Sequence, residues 1–379
     1  MKIALVCPYN VGRAGGVLEV IKNLRHGLVQ QGHDVIILTP QPREMVKKSH
    51  LNDDGIIFLG TGTEFRAPTH TSLQLSVAID TVQIEKILNT HKFDIIHFHE
   101  PWVPVVSRQI LSRSESVNIA TFHAVVPETI VSRSMAKVVT PYALSILRYL
   151  DAFTAVSEAA AGYVRSLSDQ PIEIIPNAID LGFYTPAKVV KSKKTKTVLY
   201  VGRLEKRKGV KYLLQAFSLL RAKHADVRLI IAGDGPDKAM LQKLTLELGI
   251  KTAVDFKGFV DDDTKLKLLR SADLFCSPAL YGESFGIVLL EAMATATVAV
   301  AGNNSGYDAL MKDSGQLSII NSKDAAEFAR RLEIMMFNER VRSLWLDWAN
   351  TYVRAFAFDN ITERYEELYV RALARKRQS

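Results

Sequence analysis

Cysteine is nearly absent: the 379-residue chain holds two, Cys7 and Cys276. They lie far apart and form no CxxC pair, which excludes a disulfide framework or zinc knuckle and suits a reducing, cytoplasmic location. Long apolar runs are missing as well, since no stretch reaches the ~18 residues a spanning helix needs. The opening segment MKIALVCPYN lacks the longer apolar core and small-residue cleavage site of a signal peptide. No basic stripe with interleaved aromatics occurs, so nucleic acid is not an expected partner. A GxGxxG turn is also wanting, and no acidic residue closes the second strand-like run, which ends Leu38-Thr-Pro40; a dinucleotide cofactor is disfavoured.

What the chain does have is a positive balance, 48 Lys+Arg against 40 Asp+Glu, or +8. Four of those eight charges sit in the run Lys191 to Lys196, which reads as a solvated linker rather than a phosphate strip. The length suits two domains with ample core. Short apolar runs at 3–6, 34–38, 56–59, 94–98, 118–121 and 152–156 read as buried parallel strands. Val17, Val20, Ile21, Leu24 and Leu28 form a helical stripe between the first two. A second strand series follows at 197–201, 228–232, 255–256, 274–277 and 298–301. The expected fold class is therefore α/β, two Rossmann-like doubly wound domains. The boundary falls in the Pro-containing segment 174–186, giving a first domain at 1–180 and a second at 181–357. A helical pattern over Phe358, Ile361, Tyr365, Leu368 and Tyr369 follows at 358–379. Facing domains of this kind bind small anionic ligands between their strand C-termini.

Several segments carry chemistry at those strand ends. Gly15 and Gly16 precede the first helix, where free N–H groups stabilise anions, although a plain strand–helix turn reads equally well. Arg203 and Lys208 flank the turn after the first strand of the second domain; a guanidinium fork and an ammonium point charge suit a diphosphate, although the segment by itself reads better as a solvated basic turn. Glu283, Ser284, Phe285 and Gly286 read as a loop feeding a helix from about Phe285, with N–H groups open to phosphate or sugar oxygens. Glu291 lies on that apolar helix and needs a partner, either ribose hydroxyls or an internal donor. His97 and His99 end one strand on a shared face. Cleft-edge hydrogen bonding is the preferred reading over a metal pair, and no metal or other cofactor is expected. His123 ends the next strand, as a sugar contact or a core histidine.

In order along the chain, the glycine loop, Thr121 to His123, 155–158, 175–180, Gly202 to Gly209, 232–236 and Glu283 with Glu291 resemble the family 4 retaining glycosyltransferases of the GT-B fold. The chain is most similar to the bacterial phosphatidylinositol mannosyltransferases, which share the opening Val6 to Tyr9 and the stretch 260–288. The resemblance covers nearly the whole chain. It implies that the C-terminal helix crosses back to the first domain and that His123, Arg203, Lys208 and Glu283 form the catalytic set. Arg203 and Lys208 would hold the donor diphosphate and stabilise its developing charge, joined by the N–H of Gly16. Glu283, Ser284, Phe285 and Gly286 would contact the transferred sugar, Glu291 the ribose, and Lys257, Gly258, Phe259 and Val260 the base. Tyr9, Leu18 and His99 are the acceptor-side candidates.

The implied partners are a nucleotide sugar, a lipid or glycan acceptor, and an anionic membrane surface touched peripherally through residues 135–150. For that last segment, packing on its own domain is the preferred alternative. Leu18 replaces the Gln of the inositol-lipid subgroup, and the matching stretch at 68–77 carries no Arg; both departures count against an inositol phosphate head group. The reading is transfer of a hexose, mannose from GDP-mannose. A UDP-glucose-dependent glycerolipid glucosyltransferase and a nucleotide-sugar epimerase or binder of similar fold are the alternatives.

Overall fold

The structure is a computed structural model and describes residues 1–9, 16–41, 55–66, 72–77, 81–103, 106–125, 140–187 and 195–378. The chain divides into two units, Met1–Ala178 with Phe358–Ser379, and Ile179–Ala357. Both are Rossmann-like, each built on a mainly parallel sheet.

The first unit is built on β1 (Lys2–Val6), β2 (Asp34–Gln41), β3 (Ile56–Arg66), β4 (Ser72–Val77), β5 (Ile95–His99), β6 (Val117–Phe122), β7 (Ala152–Ala155) and β8 (Ile172–Ile174). They form one sheet in the order β4-β3-β2-β1-β5-β6-β7-β8. Strand order reverses beside β1, which pairs in parallel with both β2 and β5. Such a switch point opens a crevice at the strand C-termini. β1, β5 and β6 are buried almost throughout, so they read as unbroken apolar runs rather than alternating ones. Strand β3 pairs in parallel with β2 as expected, but it runs further than the apolar segment. It extends to Arg66 and turns back antiparallel onto β4, pairing Thr61 with Val77 and Arg66 with Ser72. An edge hairpin needs little burial, so no strong hydrophobic pattern announced it. The short edge strand β8, with intermediate burial throughout, was hidden for the same reason.

Helices α1 (Gly16–Gln30), α2 (Thr81–His91), α3 (Val106–Leu111) and α4 (Glu158–Arg165) connect these strands. The buried stripe of α1 is Leu18, Ile21, Leu24 and Leu28, whereas Val17 and Val20 are only half-buried. Residues 140–147 are helical, with Ala143, Ile146 and Leu147 buried; the preceding 135–139 lies outside the described residues. So does most of the lysine run, of which Lys196 alone is in β9 (Lys196–Val201).

The second unit carries β9, β10 (Val227–Ala232), β11 (Val254–Gly258), β12 (Leu274–Ser277), β13 (Ala299–Gly302) and β14 (Ile319–Ile320). The order is β11-β10-β9-β12-β13-β14, parallel throughout. Its helices are α5 (Val210–Lys223), α6 (Lys238–Glu247), α7 (Asp262–Ser271), α8 (Ile287–Ala294), α9 (Ser305–Leu310), α10 (Ala325–Phe337) and α11 (Glu339–Tyr352). Ile179 donates its N–H to the Phe356 carbonyl at 2.8 Å, tying the start of this unit to its end.

Helix α12 (Phe358–Lys376) then returns to the first unit. Ile361, Tyr365, Leu368, Tyr369 and Ala372 join the core cluster formed with Leu5, Leu18, Ile21, Ile95 and Ile119. The 3.6-residue spacing of that stripe is what made the helix readable.

Candidate functional site

In the second unit the residues gather at the C-terminal ends of β9 and β12. After β9 the chain makes a single 3₁₀ turn, Lys206–Lys208, and Gly209 adopts φ 71° before α5. A Cβ on Gly209 would sit 2.1 Å from the Pro278 carbonyl oxygen, so glycine serves both the left-handed turn and the close approach of the two loops. Leu280 N–H donates to the Arg207 carbonyl at 2.8 Å, closing that contact. Gly306 touches the other side of the second loop: a Cβ there would lie 2.1 Å from the Glu283 carbonyl oxygen.

Between these supports the Glu283 carboxylate sits at 12% side-chain exposure, 2.7 Å from both Arg207 Nη1 and Lys208 Nζ. Arg207 also reaches the Gly282 carbonyl at 3.2 Å and pairs with Glu205 at 2.7 Å. Burial lowers the Arg207 guanidinium, but Glu283 and Glu205 more than offset this and leave it raised. The sequence reading passed over Arg207, because its neighbour Lys208 already supplied the expected charge. Arg203 is exposed. Its carbonyl accepts from Tyr200 O–H at 2.9 Å, which fixes the main chain and leaves the side chain at the mouth of β9.

Helix α8 begins at Ile287, two residues later than expected, and Gly286 precedes it at φ 102°. Ser284 and Phe285 therefore belong to the loop, because the left-handed glycine ends the extended chain there. A Cβ on Gly286 would meet the Tyr307 ring at 2.9 Å.

One turn into α8, Glu291 is buried at 5% exposure. Its Oε1 accepts from Lys265 Nζ at 2.8 Å and from Tyr184 O–H at 3.0 Å. Burial pulls the Lys265 ammonium down, yet Glu291 and Tyr184 hold it above its ordinary value. The internal donor that a buried carboxylate requires is thus a lysine one helix away plus a tyrosine from the unit's opening segment. Neither was legible, since both pairings span long sequence distances. At the end of β11, Lys257 pairs with Asp255 at 2.6 Å, Gly258 takes φ 70°, and Phe259 is 75% exposed. An apolar ring presented to solvent at a strand C-terminus is the kind of surface a planar base covers.

In the first unit, Tyr9, His99 and His123 lie at the ends of the neighbouring strands β1, β5 and β6, and Glu100 joins them. His99 Nδ1 is 2.9 Å from His123 Nε2. Both rings are buried, and burial holds both well below the ordinary histidine range, His123 at about 3. Glu100 is 3% exposed with φ 51°. Its Oε1 accepts the main-chain N–H groups of His123 and of Ala124, the latter at 2.5 Å. Burial pushes this carboxyl up to about 7, against those two donors. The Tyr9 phenol is raised by burial and then by the nearby Glu100. Glu100 went unnoticed because nothing local marks a carboxylate that serves another strand's backbone.

His97 is different. Its two nitrogens bond Tyr369 O–H at 2.7 Å and Thr121 Oγ1 at 2.6 Å, making it a fastening between sheet and α12 rather than a site at the strand mouths. Leu18 is corrected as well: at 3% exposure it faces the core, because the helical stripe is rotated by one position, and its side chain is not presented to an acceptor. Gly16 opens α1, while Gly15 and the rest of that loop lie outside the described residues, as do residues 68–71.

Comparison with known proteins accords with this geometry. Residues 14–183 match Glycosyltransferase Family 4, and residues 185–346 match Glycosyl transferases group 1. A phosphatidyl-myo-inositol mannosyltransferase of Propionibacterium freudenreichii is 31% identical over 325 residues, 83% of this chain and 81% of its own. That of Mycolicibacterium smegmatis is 29% identical over 377 residues, 97% and 93% of the two chains. Among solved structures, Anabaena HepE in complex with UDP and glucose superposes with a TM-score of 0.75 at 17% identity, covering 97% of this chain and 99% of that one. Two adjoining family matches and a relative above 30% identity over most of both chains place the protein: the chain belongs to the family 4 glycosyltransferases of the GT-B fold.

Proposed function

We propose that this glycosyltransferase moves a hexose, mannose from GDP-mannose, onto a lipid or glycan acceptor with retention of anomeric configuration. The observation that carries the reading is the Glu283 carboxylate held 2.7 Å from Arg207 and Lys208, in a chain similar over most of its length to curated phosphatidyl-myo-inositol mannosyltransferases. Cations bound to a carboxylate are already desolvated and oriented, so a diphosphate entering beside them meets preorganised charge. Lys208 with Arg203 and Arg207 then stabilises the leaving diphosphate, while Glu283 turns to the sugar hydroxyls. Glu291 takes the ribose, exchanging Tyr184 or Lys265 for hydroxyl donors. Lys257 to Val260 line the base, and Gly16 adds a main-chain N–H to the phosphates.

With two or three cations neutralising the diphosphate, the scheme uses no metal. The leaving phosphate takes the acceptor proton, so neither Glu283 nor His123 acts as a nucleophile. His123 contacts the transferred sugar and Tyr9 lies on the acceptor side; His99, expected there too, is fully buried against His123 and is not presented to an acceptor. No helix among the described residues is long and apolar enough to cross a membrane, and a lipid acceptor would be met by peripheral attachment.

The test is incubation of the purified chain with labelled GDP-mannose, UDP-glucose and other sugar nucleotides plus a lipid extract. Organic-phase label from GDP-mannose is expected; label from UDP-glucose alone, or an altered free nucleotide sugar, would replace the donor or reaction assignment. Glu283→Ala and Lys208→Ala should each lower transfer by at least about 100-fold with the fold retained. Full activity in either would remove the donor site from this loop.

A further inference from the structure

The first unit holds two histidines on one strand, and their hydrogen-bond accounts differ. Around His97 every proton can be placed. Thr154 O–H donates to the Ala120 carbonyl at 3.1 Å, so the 2.5 Å contact between Thr121 and Thr154 is made by the Thr121 proton. Thr121 Oγ1 then accepts from His97 Nε2–H, and the bare His97 Nδ1 accepts from Tyr369 O–H. That closed chain leaves His97 neutral with nothing unpaired.

His99, two residues further along β5, is not closed. Its Nδ1 meets His123 Nε2 at 2.9 Å, whereas its own Nε2 is fully buried and has no partner among the described residues. Two neutral rings share one proton across that contact, in one of two ways. If His123 Nε2–H were the donor, His99 would carry its proton on Nε2, stranding a buried N–H. If His99 Nδ1–H is the donor, the stranded atom is a bare acceptor. Either atom would give up one hydrogen bond, but orphaned buried N–H groups are the rarer of the two in folded proteins. The second arrangement therefore holds, and it forces the His123 proton onto Nδ1.

We propose that His99 is a positioning residue that locks His123 in the Nδ1–H tautomer, so that His123 meets the transferred sugar as a hydrogen-bond donor and not as a base. The part concerning the sugar rests on the function proposed above; the tautomer does not. Glu100 completes the device from the adjoining position: its Oε1 gathers the N–H groups of His123 and Ala124. His99 thus sets the ring and Glu100 the main chain. A neutral ring fixed in one tautomer gives a sugar hydroxyl a donor of set direction and adds no positive charge beside the oxocarbenium-like centre that forms as the glycosidic bond lengthens.

The experiment is long-range ¹H–¹⁵N correlation of the histidine rings in the full-length protein at pH 7.5. His99→Phe and His123→Gln supply the assignments. Protonated Nδ1 on both His99 and His123, with His97 protonated on Nε2, is expected. A His123 proton on Nε2, or a doubly protonated ring in the pair, overturns the proposal whether or not transfer has been observed. In the transfer assay His99→Asn, whose amide N–H falls near the lost Nδ1–H, should keep kcat within about threefold. His99→Phe should lower kcat by about 10- to 100-fold with the nucleotide-sugar KM within twofold. Equal loss in both variants, or full kcat in His99→Phe, refutes the positioning role. Absence of transfer by the wild-type chain with every sugar nucleotide refutes the proposed function instead, leaving the tautomer to the spectra.

Discussion

Glu100 is a buried carboxyl whose ionisation costs the folded chain stability. In an unfolded chain its carboxyl titrates near its ordinary value of 4.5, and burial pushes it up to about 7 in the fold. The folded state therefore holds an extra proton between those values. The stabilisation is complete below about pH 4.5 and is lost as pH rises through about 7, on the order of 3 kcal/mol in all. Glu100→Gln cannot ionise, yet keeps a side-chain oxygen for the two N–H groups. Urea unfolding at a series of pH values should show the variant gaining on the wild type, by that order, between pH 4.5 and 7.5; a constant difference would show that Glu100 stays charged throughout. The buried imidazoles act in the opposite direction. Each titrates well below its unfolded range, so it withdraws stability as pH falls below about 6.5. Residue types and strand-end positions made the histidines, Lys208, Glu283 and Glu291 readable. Arg207, Lys265, Tyr184 and Glu100 were not, since each acts on a carboxylate or backbone group far away in sequence.

Elements decide how closely the two loops of the second unit approach. The turn before α5 and the loop before α8 touch through Gly209 against Pro278 and through the Leu280–Arg207 hydrogen bond. Helix α9 supports the loop from behind, its Asn304 cap donating to the Ala279 carbonyl at 3.0 Å and its Gly306 pressed on Glu283. Gly306→Ala forces a Cβ into backbone with no side chain to yield. Stability should fall by about 1–3 kcal/mol, and transfer should fall more than this predicts because Glu283 is displaced from Lys208; thermal unfolding measured beside kcat separates the two. Unchanged kcat would mean that the loop is free of α9. The strands and long helices were legible from apolar runs and stripes. The β3–β4 hairpin, β8 and β14 were not, being edge elements whose order depends on a neighbour rather than on their own pattern.

At the scale of the whole molecule the chain leaves its first unit, completes the second and returns. The return helix α12 inserts Ile361, Tyr365, Leu368 and Tyr369 into the first unit's core and fastens to His97 through Tyr369. Truncation after Ala357 would expose that core and leave His97 Nδ1 unpaired. Circular dichroism and proteolysis should show the first unit losing cooperative folding, with protection persisting in residues 179–357; a truncated chain with an intact first unit would show α12 to be dispensable. By itself the sequence determined the α/β class, the two nucleotide-fold units, the returning helix and the family, because apolar periodicity and short glycine-bearing motifs are local signals. Only the tertiary structure decided which groups meet: Arg207 and Lys208 on Glu283, Lys265 and Tyr184 on Glu291, and His99 with Glu100 on His123. Those pairings depend on which strand ends and loops come to lie side by side, and no local pattern records that.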